Sequence, residues 1–250
     1  MITSPFLKKI SSKEHDKSSD AYPLSMPLFS NGDFCWEIEK PISILVGENG
    51  SGKSTLLEAI AFNCGFNLNS GSGNHLYDED LSPPATLLAD HLVFAWKKRI
   101  RKGFFFRAES FFNFGNYLDE MAKDYGEALI YGPYGGISLN TLSHGEAFLR
   151  LFSSRIVKPG VYLLDEPEAA LSPMGQLALI QLLDQANDRN DVQVIMATHS
   201  PILMAYPKAA FYMIEDGVLE RGEVTDSEHF NLYKQFLANP EEFIQRILKR

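Results

Sequence analysis

Two cysteines in 250 residues, Cys35 and Cys64, are too few for a disulfide framework and do not have metal-site spacing. Cys64 is expected to pack as a small apolar residue behind a helix. No run approaches the 18 apolar residues of a membrane-spanning helix, and the N-terminus is too polar for a signal peptide. The chain therefore reads as a soluble, cytoplasmic protein. Basic residues are in the minority: 23 Lys and Arg against 32 Asp and Glu leave a net charge of -9. That balance excludes general, whole-surface attraction to nucleic acid, though not a local basic patch. What is present, 45% hydrophobic and 22% charged residues, suits one sizeable α/β domain or a domain with a small lobe.

The most informative stretch runs from Pro41 to Ala61. Ile42, Ile44, Leu45 and Val46 form a β-branched apolar run that reads as a buried strand. It leads into Gly47, Glu48, Asn49, Gly50, Ser51, Gly52, Lys53, Ser54 and Thr55, followed by Leu56, Leu57, Ala59, Ile60 and Ala61 at helical spacing. Strand, glycine-rich turn and helix, with G-x-x-x-x-G-K-[ST] spacing, make a phosphate-binding loop. The glycines let backbone N–H groups face inward, and the helix that starts near Lys53 adds the positive end of its dipole. Lys53 is expected on the β/γ-phosphates of ATP and the Ser54 hydroxyl on Mg²⁺.

Three later segments carry chemistry. Val161 to Leu164 is an apolar strand that ends in Asp165 and Glu166. Beside a phosphate loop, such an Asp is expected to hold Mg²⁺ and the Glu to polarise the attacking water. Adjacent residues on a strand point to opposite sides, so the two can take separate roles. Val192 to Thr198 is another buried strand, with His199 at its C-terminal end, the end where open α/β sheets bind ligands. His199 is expected to contact the γ-phosphate. Ser143 and Glu146 have capping-box spacing ahead of Ala147 to Phe152, so a helix is expected to start at Ser143 with its anion-binding end open. Ser172 and Pro173 read as the N-cap and first residue of a further helix.

The rest of the chain reads less sharply. Ser11 to Asp20 and Gly65 to Asp80 are expected as loops, and Tyr22 to Leu28 as extended by its prolines. Asn31-Gly32 reads as a hairpin turn before a strand over Phe34 to Ile38. Tyr22 and Phe29 are candidates to stack on adenine, or are packed aromatics. A helix is expected to start near Ser82-Pro83-Pro84, and Gly103 to Phe114, rich in phenylalanine, as a buried strand and turn. Lys97, Lys98, Arg99, Arg101 and Lys102 are either a solvated helix end or a phosphate-backbone contact for nucleic acid. Thr225 to Arg250 reads as an amphipathic helix broken near Asn239-Pro240, with capping-box spacing at Thr225 and Glu228, and as a packing element.

Together, the motifs over about Pro41 to Gly222 resemble the ABC-type ATPase superfamily. Gly47 to Thr55 resembles the Walker A loop, Leu142 to Glu146 the signature motif, and Leu163 to Glu166 the Walker B strand. Ala170 to Pro173 resembles the D-loop and His199 the switch histidine. The phrases 107–112 (RAESFF), 143–146 (SHGE), 165–168 (DEPE) and 197–203 (ATHSPIL) also resemble a group of small bacterial "AAA family ATPases" with ABC motifs. The resemblance implies a P-loop NTPase fold: an ABC-type ATPase head with a mixed central sheet flanked by helices, an inserted lobe over 66–136 and a helical tail over 226–250. It implies an ATPase that uses ATP and Mg²⁺ and works as a head-to-tail homodimer. Lys53, Glu166 and His199 are then catalytic, Gly47 to Thr55 bind nucleotide, and Ser54 and Asp165 hold the metal. Ser143 and Gly145 would face the nucleotide of the second copy.

The sequence departs from the family pattern in places. His144 stands where the signature usually has glycine and Glu146 where it often has glutamine, and no glutamine lies between Lys53 and Ser143. The loop glutamine that ABC ATPases use to sense Mg²⁺ is thus absent or replaced, with Glu109 and Ser110 as candidate stand-ins. The 90 positions from Lys53 to Ser143 carry no sustained heptads, which excludes the coiled coil of the long-armed chromosome-maintenance ATPases. The resemblance leaves three uses of such a cycle: repair or defence on nucleic acid, a dimerisation switch that recruits a protein without turnover, or a transporter motor. The missing glutamine and the altered signature argue against the last.

Overall fold

The computed structural model describes residues 3–13, 21–68, 83–156 and 158–248. Of the two loops expected over 11–20 and 65–80, residues 14–20 and 69–80 lie outside the described residues, while Ser11 and Ser12 belong to a strand rather than a loop. Among the described residues, nine strands form two sheets. They are β1 (Leu7–Ser12), β2 (Cys35–Glu37), β3 (Ile42–Gly47), β4 (Leu92–Trp96), β5 (Gly103–Arg107), β6 (Gly160–Asp165), β7 (Val192–Ala197), β8 (Ala210–Glu215) and β9 (Val218–Arg221). The large sheet has the order β5-β6-β7-β3-β8-β9, parallel throughout except for the β8–β9 hairpin, and the small antiparallel sheet has the order β2-β1-β4.

The central strands β3, β6 and β7 of the large sheet are buried on both faces, which is why they read as continuous apolar runs rather than alternating ones. The alternation is instead between two cores. Leu45, Phe105, Leu163 and Ile195 pack with the small sheet and the helix Lys53–Cys64. Their neighbours Ile44, Phe104, Phe106, Leu164 and Met196 pack with the helices Phe111–Tyr125, His144–Arg155 and Pro173–Arg189. The phenylalanines expected as one strand and turn divide between two elements. Phe104 and Phe106 sit on β5, while Phe111 and Phe114 begin a helix that folds back over them, with the Phe106 ring 5.4 Å from that of Phe111 and the Phe104 ring 5.3 Å from that of Phe114.

The two sheets are joined by Gln193 on β7, wholly buried. Its side-chain carbonyl accepts from the backbone N–H groups of Phe6 and Leu7, and its amide donates to Leu7 O. Gln193→Ala leaves three buried backbone groups unpaired, at roughly 1–3 kcal/mol each before relaxation. A loss of about 3 kcal/mol in urea unfolding is expected, and a loss below about 0.5 kcal/mol would contradict this role.

Several local expectations are corrected. The polar N-terminus contains β1, held between β2 and β4. Pro27 opens a short helix, Pro27–Ser30, so Asn31-Gly32 ends a helix rather than turning a hairpin. The helix expected near Pro83 covers Pro83–His91 and gives way to β4. The stretch 66–136 contributes one strand to each sheet, β4 at the edge of the small one and β5 at the edge of the large one. The basic run lies in the connection between β4 and β5, not at a helix end. The C-terminal helices, Glu228–Ala238 and Pro240–Leu248, break at Asn239, but the first is capped by Ser227 rather than Thr225, and neither has a buried residue.

Candidate functional site

β3 delivers the chain to the phosphate loop at the carboxyl edge of the large sheet. A Cβ at Gly47 would lie 2.7 Å from Ile214 O and 2.9 Å from Ser51 Oγ, and Gly52 has a φ of 102°, so glycine is required at both for the loop to close on itself. The helix Lys53–Cys64 begins immediately after. Lys53 is buried, and its ammonium donates to the carbonyls of Gly47 (2.7 Å) and Glu48 (2.8 Å). Burial pulls its pKa down, opposed by the nearby Glu166, Asp165 and Glu168 carboxylates.

β6 brings in the acidic pair. Ser54 Oγ donates to Asp165 Oδ1 at 2.9 Å, so the two expected metal ligands meet. Burial pushes the Asp165 carboxyl up to about 6, against the opposing effects of Ser54 and Arg107. Glu166 follows in the left-handed region, φ 48° and ψ 53°, uncommon for a residue with a side chain. This turn points its half-exposed carboxylate into the cavity, 3.8 Å from His199 Nε2. Burial, with Lys53 adding to it, lowers the His199 pKa, so the ring is neutral near pH 7. Among the described residues, its buried Nε2 has no hydrogen-bond partner.

These groups face one cavity of about 780 Å³, lined by Tyr22, Met26, Asn49, Gly50, Gly52, Lys53, Ser54, Thr55, Glu58, Pro84, Arg107, Glu166, His199 and His229. The orphaned His199 nitrogen and the glycine-shaped loop fit the terminal phosphates of a nucleotide. Ser54 and Asp165 are only two protein ligands, and among the described residues no cluster of three or more His, Cys, Asp or Glu could hold a metal. That suits Mg²⁺, which takes its remaining oxygens from phosphate and water. Of the aromatic candidates, Phe29 is buried against Phe34, with ring centroids 5.3 Å apart, whereas Tyr22 is exposed on the cavity rim with its OH 3.3 Å from Thr55 Oγ1.

Ser143 and Gly145 do not line this cavity. Ser143 caps the helix His144–Arg155 with both halves of the capping box: its Oγ accepts from Glu146 N–H, and the Glu146 carboxylate accepts from Ser143 N–H and, at 2.6 Å, from Ser143 Oγ. The approach to this cap is held by Asp119, which accepts from Tyr131, Ser138 and Asn140.

Four residues to which sequence reasoning gave no part in the site belong to its surroundings. Glu168 accepts from Thr198 Oγ1 (2.8 Å) and His199 N–H (2.5 Å), locking the turn after β6 to the end of β7. Glu58 lies one helical turn beyond Ser54, a spacing that puts both on one face. Arg107, at the end of β5 beyond the basic run, lies 3.4 Å from Asp165 and 2.6 Å from Glu58. His229, on the C-terminal segment expected only to pack, reaches the cavity with Nε2 2.7 Å from His199 O. Glu109 and Ser110, the expected stand-ins for the missing glutamine, do not line the cavity.

Residues 138–205 match a family model described as "AAA domain, putative AbiEii toxin, Type IV TA system", and residues 29–86 match one described as "AAA domain". An ABC transporter ATP-binding protein of Geobacter sulfurreducens is 39% identical over 62 residues, 25% of this chain and 22% of the relative. The zinc import ATP-binding protein ZnuC of Photobacterium profundum is 28% identical over 171 residues, 63% of this chain and 58% of the relative. An uncharacterised ABC transporter ATP-binding protein of Schizosaccharomyces pombe is 26% identical over 230 residues, 90% of this chain and 26% of the relative. The chain thus spans between about a fifth and three fifths of the length of these relatives. The solved ATP binding subunit of an ABC transporter shares the fold, with a TM-score of 0.50 at 14% identity over 88% of this chain and 91% of that one. The AAA-domain models, the ABC ATP-binding relatives and the solved subunit are what this chain is similar to, and its fold is that of an ABC-type ATPase head.

Proposed function

We propose that the chain hydrolyses ATP at a site shared by two copies of itself. The observation that carries this reading is a division of labour. Lys53, Ser54, Glu166 and His199 face one cavity, while the signature residues Ser143 and Gly145 of the same chain lie outside it. Gly145 needs no smallness for its own fold, since a Cβ there would meet only Ala170 O at an ordinary 3.6 Å among the described residues. A glycine that nothing in its own chain requires suits close approach by a phosphate of the partner copy. Met174, 73% exposed beside the D-loop, offers apolar surface for the same junction.

In this reading Lys53 and the loop N–H groups hold the phosphates. Ser54 and Asp165 would hold Mg²⁺, whose charge neutralises the terminal phosphates when bound. Glu166 accepts the proton of the attacking water, and neutral His199 donates or accepts at the γ-phosphate through the nitrogen that lacks a partner. The signature helix presents its positive end to the partner's γ-phosphate, so ATP favours association and hydrolysis release. Tyr22 is the adenine-stacking candidate. A phosphate-release assay with Mg-ATP tests turnover. Steady release supports the hydrolase, and tight binding without release would instead support a recruitment switch.

Coupling to nucleic acid is the second reading, and it rests on Lys97, Lys98, Arg99, Arg101 and Lys102, all exposed within one short connection. Lys97/Lys98/Arg99→Glu should abolish DNA stimulation of ATPase activity and leave basal turnover unchanged. No binding of DNA by the unaltered chain at 50 mM salt would end this reading, because phosphate contacts are strongest there. A transporter role rests on the names of relatives alone and is less supported, since no glutamine lies between Lys53 and Ser143.

A further inference from the structure

Asp165, nearly fully buried, stands among the carboxylates of Glu58, Glu166 and Glu168, and such a cluster needs positive charge close by. The structure supplies it from the neighbouring strand. Arg107 ends β5 directly opposite Asp165 in the parallel register, with Nε 3.4 Å from Asp165 Oδ2 and NH1 2.6 Å from Glu58 Oε1. Asp165 Oδ1 is meanwhile taken by Ser54. Both oxygens of the expected metal ligand are therefore engaged by this chain's own donors. A divalent cation on Ser54 and Asp165 would lie within a few ångströms of the guanidinium, and two cations at that range repel strongly in a partly dry site. The Arg107 side chain is 31% exposed and borders the cavity, so it has space to turn while Glu58 keeps hold of it.

We propose, resting on the ATPase reading above, that Arg107 senses the metal-bound nucleotide. Its guanidinium competes with Mg²⁺ for the Asp165 carboxylate, and loading of the metal turns it away from Asp165 while its pair with Glu58 is kept. Arg107 is thus a positioning residue that takes over the task of the missing glutamine. Its place in the chain gives the turn a mechanical route. Arg107 continues through a 3₁₀ turn, Ala108–Ser110, that packs on the turn Pro167–Ala170, and then into the helix Phe111–Tyr125. That helix carries Asp119, which holds Ser138 and Asn140 just before the signature cap. Metal loading at one end is thereby linked through packed elements to Ser143 at the other.

The test is binding of AMP-PNP, a non-hydrolysable ATP analogue, in EDTA and across a Mg²⁺ titration. Arg107→Ala should lower the Mg²⁺ concentration at half-effect about tenfold, the worth of one charge-assisted hydrogen bond, and leave affinity in EDTA within about threefold. Arg107→Lys keeps the charge but not the fork that reaches Glu58 and Asp165 together, and should give an intermediate fall. An unchanged or higher Mg²⁺ midpoint in either variant overturns the proposal, and the lysine variant decides if the alanine variant does not fold. Equal loss of AMP-PNP affinity with and without Mg²⁺ also overturns it, since that is the mark of a fixed phosphate ligand. If the unaltered chain binds no AMP-PNP under either condition, the nucleotide reading itself fails along with it.

Discussion

Lys53→Ala should lower ATP affinity at least about a hundredfold, since removing one partner of a buried charge interaction costs roughly 3–5 kcal/mol. The ammonium is buried and donates to two carbonyls of its own loop, at 2.7 and 2.8 Å. Alanine removes the charge that would face the phosphates and takes one donor from each of those carbonyls, although Glu48 O keeps the Ser51 N–H. Among the described residues lining the cavity, Arg107 stays paired with Glu58 and His199 is neutral near pH 7, so neither takes the place of the Lys53 ammonium. Isothermal titration with ATP measures this. An affinity within threefold of the unaltered chain would refute the assignment of 47–55 as a phosphate-binding loop.

Glu166→Gln should slow turnover by about 10²–10⁴, the usual worth of a positioned general base, with ATP binding retained. The carboxylate stands where the chain turns sharply out of β6, in a left-handed conformation that costs of order 1–3 kcal/mol and must be held by its surroundings. Ala197 O accepts the Glu166 N–H at 3.0 Å, and Glu168, two residues on, is fixed to Thr198 and His199. The turn is therefore rigid, and glutamine, of the same shape, should occupy it without rearrangement while lacking the basic oxygen. Residual phosphate release within tenfold of the unaltered chain would move the general base elsewhere.

The parts of this site that were legible in the sequence are those set by local rules. Gly47 to Lys53 announces its turn because glycine alone permits the backbone it needs. The Ser143–Glu146 capping box and the Ser172–Pro173 start are realised as spacing predicts. β6 and β7 were readable because strands buried on both faces leave continuous apolar runs. Where one apolar run crosses an element boundary, that signal fails. Leu92 to Trp96 continues the apolar character of the preceding helix and so hid β4, and the phenylalanines from Phe104 to Phe114 hid the passage from strand to helix. Residues brought to the site by topology were also missed. Arg107 reads as one more cation after Lys102 until strand register sets it opposite Asp165, and His229 lies 30 positions from the histidine whose carbonyl it meets.

The central claim is that each cavity is half a site, completed by Ser143 and Gly145 of a second copy. Sedimentation velocity of the Glu166→Gln chain, with and without Mg-ATP, tests it most directly, because blocked hydrolysis should trap the closed state. A shift from monomer to dimer only with Mg-ATP, abolished by adding Lys53→Ala, is the predicted result. A monomer at saturating Mg-ATP would contradict the shared site.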